Sequence, residues 1–280
     1  MMSPSPSPTG PHPERKIRLA DLTSAELSDL LPGRPVVLLP MGSLEDQGTH
    51  APMGDYRCAE RIAELIAMAA DSPRVRVLSA PVVPFGGRDF FGSRPGGIAL
   101  RPGTLLALLD DMLASLLRHG LDRLIVVNGH GGNGPSIFEA TQEVLRTQNR
   151  LIPCLHLWRI AGSLLPHLLG PELAARSTGH GADPLWSVVQ HLFPERCRPD
   201  LMPHPDAPAQ VVHGLRVADY GAGLLDTRHG EVEIGLPLEA PARVTRGDPR
   251  RGSPQTGAAI VERLVGTGHE LIGRLLAGGW

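Results

Sequence analysis

Residues 124–140 read LIVVNGHGGNGPSIFEA, and this stretch decides the fold. The run 124–127 is short, continuous, apolar and largely β-branched, as in a strand covered on both faces. Residues 135–140 open a helical pattern, so Asn128-Gly129-His130-Gly131-Gly132-Asn133 forms a strand-to-helix turn. Strands that alternate with helices build a parallel sheet, and ligands of such sheets bind beyond the carboxyl ends of the strands. His130 stands at such an end, and imidazole is the commonest metal ligand among side chains. The competing reading is a tight turn whose glycines serve only the backbone.

Upstream, residues 36–55 read VVLLPMGSLEDQGTHAPMGD: a second apolar run, then Glu45, Asp46, Gln47, His50 and Asp55 crowded among Gly and Pro. A connection between packed elements usually takes only a few residues, so this length and this density of ligand-type side chains point to a site. The alternative is a solvated acidic turn.

Further apolar runs at 75–83 and 151–157 extend the strand series. Between the runs, Ile62, Leu65, Ile66 and Met68 lie at helical spacing, as do Leu105, Leu108, Leu109, Met112, Leu113 and Leu116, with Gly120 as a stop. The expected fold is α/β, a three-layer α-β-α arrangement with a mostly parallel central sheet. From about Arg198 to Arg251 clear periodicity is lost, and long loops over the active-site side of the sheet are expected. Residues 1–16, MMSPSPSPTGPHPERK, read as a disordered Pro/Ser-rich tail, and 17–280 as one domain.

Composition excludes several classes of function. A net charge of −2 with no basic stripe argues against nucleic-acid binding, and 4% aromatics leave no stacking platform. No run approaches the ~18 apolar residues of a membrane span, and no secretory signal is evident, so a cytoplasmic protein without membrane partners is expected. Cys58, Cys154 and Cys197 are too few and too scattered for a disulfide framework or a thiolate metal site, and read as buried free thiols.

Gly-Ser-x-Glu, Gly-x-His-x-Pro and an Asp, followed about seventy residues later by Asn-Gly-His-Gly-Gly-Asn, resemble the creatininase (creatinine amidohydrolase) family. Pro95-Gly96-Gly97-Ile98, Gly179-His180 with Asp183 and Ser187, and Gly247-Asp248-Pro249-Arg250 extend the likeness over roughly residues 17–275. The resemblance implies a creatininase-like fold, a divalent metal, a small-molecule substrate and a homo-oligomer, a hexamer in the family. By its motifs Glu45, Asp55 and His130 correspond to one metal site, with Asp55 at the position that bridges two metals. Chemically, two carboxylates and an imidazole suit zinc first, with manganese or iron as alternatives, and leave positions open for catalysis. Hydrolysis of an amide-type C–N bond is a natural use of such a centre.

The resemblance places His180 in the active site as general acid/base, a role its titration range suits. Asp183 stands as its orienting partner or a metal neighbour; alternatively, with Pro184, it starts the helix carrying Leu185, Trp186, Val188 and Val189.

The chain departs from the family pattern at Gln47, where a histidine is usual, at Gly132, where creatininases proper carry a second-metal glutamate, at Leu185, where glutamate is frequent, and at Phe90-Phe91, where many relatives have Glu-His. These departures point to one ion per subunit, with Asp46, His50, His204, His213 or His229 as residues able to rebuild a second site. They also point away from creatinine as substrate. The alternatives to an amidohydrolase are a catalytically silent binding or scaffold relative, and hydrolytic C–C cleavage of a polyol-derived diketone.

Overall fold

β1 (Val36–Met41) is buried at every residue and forms the hub of the molecule. Its side chains alternate between two cores: Val36 and Leu38 join one, while Val37, Leu39 and Met41 join the other. The computed structural model describes residues 15–88, 95–203, 211–217, 222–236 and 247–278.

β1 pairs in parallel with β2 (Val77–Ser79) on one side and with β3 (Arg123–Asn128) on the other, and β4 (Cys154–His156) closes the order β2-β1-β3-β4. Pro40 is tolerated in this central strand because β2 ends at Ser79. At Pro40 only its carbonyl is used, accepting from the Val83 amide at 3.0 Å, so the absent donor leaves nothing unpaired there.

Following α1 (Ser24–Leu30), which a Thr23/Glu26 capping box opens, the helices divide between the two faces. α2 (Tyr56–Ala70) packs Cys58, Ile62 and Ile66 onto one face of the sheet. α3 (Pro102–Arg118) and α4 (Gly134–Gln148) cover the other with Leu105, Leu109, Leu113, Ile137 and Ala140. The first face is completed by α5 (Leu157–Leu169), α6 (Pro171–Ser177), α7 (Leu185–Leu192) and α8 (Pro254–Gly278), whose buried residues include Leu165, Ala174, Trp186 and Ile260. The expected three-layer architecture with a parallel sheet is present. Met68, expected on the core stripe of α2, is instead 58% exposed. β2 and β4 are each shorter than the apolar runs that signalled them.

α7 and α8 are in contact at backbone distance. A Cβ on Gly257 would stand 1.9 Å from the Ser187 carbonyl oxygen, so no side-chain adjustment can relieve it. Gly257→Ala is expected to destabilise the fold by about 2 kcal/mol or more, in the upper part of the ~1–3 kcal/mol range for overpacked cores. A urea or thermal melt with near-wild-type stability would show that the helices can separate.

One expectation is corrected here. The stretch 198–251 is not only loop: β5 (Val211–Val212), β6 (Leu215–Val217), β7 (Ala222–Thr227) and β8 (Gly230–Gly235) form a second, antiparallel sheet. β8 is exposed throughout, so it lacks the apolar density that marks β1. Its signal is the alternation of Glu231 and Glu233 with Val232 and Ile234. Most of the expected N-terminal tail, up to residue 14, lies outside the described residues, as do Phe90, Phe91 and His204. Arg15 and Lys16 are described and pair with Asp71 at 3.1 Å and Glu26 at 2.7 Å. Among the described residues no helix is long and apolar enough to cross a membrane. All three cysteines are free; Cys58 is buried and the other two are half-buried. Burial pushes the thiols of Cys154 and Cys197 up to about 12 and about 11, which keeps them protonated and unreactive.

Candidate metal centre

The segment after β1 and the turn after β3 converge at the carboxyl ends of the two central strands. Glu45 follows Leu44, which bridges to Ile98, and Asp55 immediately precedes α2. His130 follows β3 in an extended conformation, ahead of the short 3-10 turn Gly131–Asn133. Glu45, Asp55 and His130 are all buried, and their ligand atoms lie within 4.8 Å of one another. The structure thus brings together the three residues singled out in the sequence.

The hydrogen bonds define what each atom can do. His130 Nδ1 lies 3.1 Å from Asp55 Oδ2 and 3.3 Å from Glu45 Oε1, while Nε2 faces the Gly87 carbonyl at 3.2 Å. With acceptors at both nitrogens, the ring carries both protons when no cation is bound. Burial alone would oppose that charge, but Asp55 and Glu45 outweigh it and hold the His130 pKa well above the ordinary value. Burial pushes Asp55 up to about 6, against the opposing pull of His130. Asp55 Oδ1 accepts from the Ser43 amide at 2.6 Å, which leaves Oδ2 directed at the cluster. Among the described residues Glu45 Oε2 is buried without a hydrogen-bond partner. An orphaned carboxylate oxygen, a second buried carboxylate and an imidazole whose Nε2–H is anchored on a carbonyl fit a divalent ion held through Nδ1 and the two carboxylates.

Asparagines build the frame around His130. Asn128 Oδ1 accepts from the His130 amide at 3.2 Å and its Nδ2 donates to the His130 carbonyl at 2.7 Å. Asn133 links three segments, donating to Gly42 O at 3.1 Å and Asn128 Oδ1 at 3.1 Å and accepting from Gly87 N at 2.9 Å. The glycines let backbone close on the ring. A Cβ on Gly132 would stand 2.4 Å from Gly87 O and 2.6 Å from His130 Nε2, and one on Gly42 would stand 2.5 Å from Asp55 Oδ1.

Gln47 is buried and donates from Nε2 to Glu45 Oε1 at 3.1 Å, so the amide that replaces a histidine restrains a carboxylate of the cluster. Asp46 is used in its own turn, accepting from Gly48 N at 2.6 Å. His50 donates from Nε2 to Gly181 O at 2.8 Å and packs edge-on against Trp186. It therefore supports the loop that carries His180. His213 and His229 are exposed at turns of the second sheet. Among the described residues, Glu45, Asp55 and His130 are the only such group of ligand-type side chains.

His180 reaches the cluster. Its Nε2 donates to Asp46 O at 2.6 Å, which turns Nδ1 toward Glu45 Oε1 at 4.0 Å. Burial lowers its pKa below that of an ordinary histidine, so it is neutral near pH 7. Asp183 frames the same loop through its backbone, its carbonyl accepting from Gly179 N at 2.9 Å and its amide donating to Ser177 O at 3.1 Å. The Asp183 carboxylate accepts from the Ser187 hydroxyl at 2.5 Å and from the Ser187 amide at 3.3 Å, which ties it to the start of α7. Glu45, Asp55, His130, His180, Leu185 and Trp158 border a small cavity of about 160 Å³. Trp158, not anticipated from sequence, is fixed there by its indole N–H donating to Gly129 O.

Comparisons with known proteins cover the chain to different extents. The family model for creatininase, creatinine amidohydrolase, matches residues 20–272. A mycofactocin precursor peptide peptidase of Mycolicibacterium smegmatis is 31% identical over 141 residues, 49% of this chain and 55% of its own. A creatinine amidohydrolase of Pseudomonas putida is 32% identical over 123 residues, 41% of this chain and 44% of its own. The chain therefore matches only about half the length of these curated relatives. Among solved structures, a creatinine amidohydrolase (creatininase) shares the fold with a TM-score of 0.72 at 21% identity, over 93% of this chain and 98% of that one. Other creatininases of this fold have been solved as a Zn-Zn type and as a Mn form.

Proposed function

This chain belongs to the creatininase family, and from that premise we propose that it is a hydrolase of amide-type C–N bonds that holds one divalent ion, zinc before manganese or iron, on Glu45, Asp55 and His130. The observation that carries the reading is the buried convergence of two carboxylates on His130 Nδ1, with Glu45 Oε2 left unpartnered. A scaffold or silent binding relative has no use for such a cluster, whose burial is costly without a cation. A divalent ion there supplies Lewis acidity, polarising a carbonyl and making water more acidic at neutral pH.

The chain's own residues supply the rest. His180, neutral and anchored through Nε2, offers Nδ1 as the base that takes a proton from the attacking water and returns it to the departing nitrogen. Gln47 restrains Glu45, and His50 and Asp183 hold the His180 loop, so the reacting groups keep their relative positions without moving in each cycle. The apolar walls at Trp158 and Leu185 limit water around the bond to be cut. The neutral amide of Gln47 and the absence of a side chain at Gly132 support one ion rather than two, and creatinine is not the expected substrate.

Elemental analysis of protein purified under metal-replete conditions tests this directly. One tightly held ion per chain is expected, lost in His130→Ala and in Asp55→Asn. Because the ion must displace the proton on His130 Nδ1, affinity should rise with pH while that group is still protonated. Two stoichiometric ions, or no ion in wild type, would overturn the proposal.

A further inference from the structure

A second cleft adjoins the metal centre. It measures about 380 Å³ and shares His130, Gly131 and Trp158 with the smaller cavity. Its remaining wall comes from the first turns of two helices, with Pro135 and Phe138 on α4, Arg159 on α5, and His156 just before α5. The cavity over the cluster, about 160 Å³, is below the ~300 Å³ at which small-molecule pockets usually begin. The adjoining cleft offers room for the bulk of a substrate that the smaller cavity does not hold.

The chemistry of that cleft is specific. Phe138 is 65% exposed, a large apolar surface left uncovered at the edge of the cleft. Arg159 makes no hydrogen bond or ion pair among the described residues, although most neighbouring polar groups do: His156 Nδ1, for example, is engaged by Asn128 Nδ2 at 3.1 Å. Among the described residues no acidic side chain borders the cleft, and Arg159 gives it a positive charge. Such a guanidinium, in a cleft that an aromatic ring also lines, suits a carboxylate attached to an apolar group, because guanidinium binds a carboxylate through two parallel hydrogen bonds.

We propose that Arg159 and Phe138 form the subsite for a carboxylate-bearing, apolar leaving group, making this enzyme a hydrolase of amides whose nitrogen belongs to an amino acid with a free α-carboxylate. That chemistry occurs in N-acyl amino acids and at the C-terminus of a peptide. In the reaction, the oxygen of water ends on the acyl carbon, the C–N bond breaks, and the nitrogen leaves as the amine of the amino acid after gaining a proton. The inference rests on the hydrolase reading for the bond that is cut, whereas the carboxylate subsite itself can be tested by binding alone.

The test uses the metal-loaded protein and matched pairs: N-acetylphenylalanine against N-acetylphenylalaninamide, and Gly-Gly-Phe against Gly-Gly-Phe-amide. Calorimetry should give about tenfold tighter binding of the free acids, the value of one charge-assisted hydrogen-bonded contact, and Arg159→Ala should remove that preference while Arg159→Lys retains part of it. In turnover, Arg159→Ala should raise KM for the acids and leave the amides unchanged, and the relative rates of the two acids separate an N-acyl amino acid enzyme from a carboxypeptidase. Arg159 is exposed and has no partner among the described residues, so its variants are expected to fold. Equal affinity for acid and amide, or a preference that survives Arg159→Ala, overturns the subsite even if neutral amides are hydrolysed. Arg159-dependent binding of the acids with no turnover of any amide keeps the subsite and overturns the hydrolase reading.

Discussion

Replacing His130 by alanine is expected to destabilise the metal-free protein by about 3–5 kcal/mol near neutral pH, the usual cost of stranding buried charge by removing its partner. Asp55 and Glu45 would then face each other with no cation between them. The pH dependence has a definite sign. The folded pKa of His130 is raised, so the stabilisation from its imidazolium is fully present below its ordinary value of about 6.5 and fades only as pH rises through the raised one. Asp55 is raised from 3.8 to about 6, so the penalty for its charge is absent at low pH and grows as pH climbs through that interval. The gap between variant and wild type should therefore be present near pH 4 and wider at pH 7, where the uncompensated carboxylate charge adds to it. Urea melts at the two pH values, each with and without a chelator, measure it. A divalent ion should stabilise wild type by mass action and leave the variant unmoved. A gap independent of pH would mean that the cluster does not carry the charges assigned to it.

His180→Ala is expected to lower kcat by ~10²–10⁴, the range for a positioned general base, while metal content stays that of wild type. Because burial lowers the pKa of His180, the acidic limb of kcat/KM in wild type should lie below pH 6.5 and disappear in the variant. His180→Asn, which keeps a donor for Asp46 O, separates the loss of the base from the loss of the hydrogen bond that holds the loop. Loss of the metal in either variant, or a rate within tenfold of wild type, would remove His180 from this role.

Much of this was legible in the sequence because it depends on single elements. β1 and β3 are covered on both faces, and burial on both faces writes itself as an unbroken apolar run. Glu45, Asp55 and His130 could be grouped because each follows such a run or opens a helix. The rest depends on the meeting of segments distant in the chain. Nothing near residue 130 announces that the Gly87 carbonyl, 43 residues away, fixes the ring of His130. Likewise, the Asp183 carboxylate could not be assigned before its bond to Ser187 was seen. The second sheet escaped detection because its last strand is solvated on every residue, leaving only a faint alternation. Arg159 drew no attention as one arginine among many; its meaning lies in lacking a partner among the described residues where a cleft meets the cluster.

The close backbone contacts at Gly42 and Gly132 also bear on how this protein can change. A side chain at either position meets backbone or a cluster residue within 2.5 Å, so no stepwise substitution there can install a new ligand without first displacing a loop. In this chain the centre is closed to new side chains at these two glycines while the cleft beside it is open, so engineering a new specificity should begin at positions 138 and 159 and leave the glycines alone.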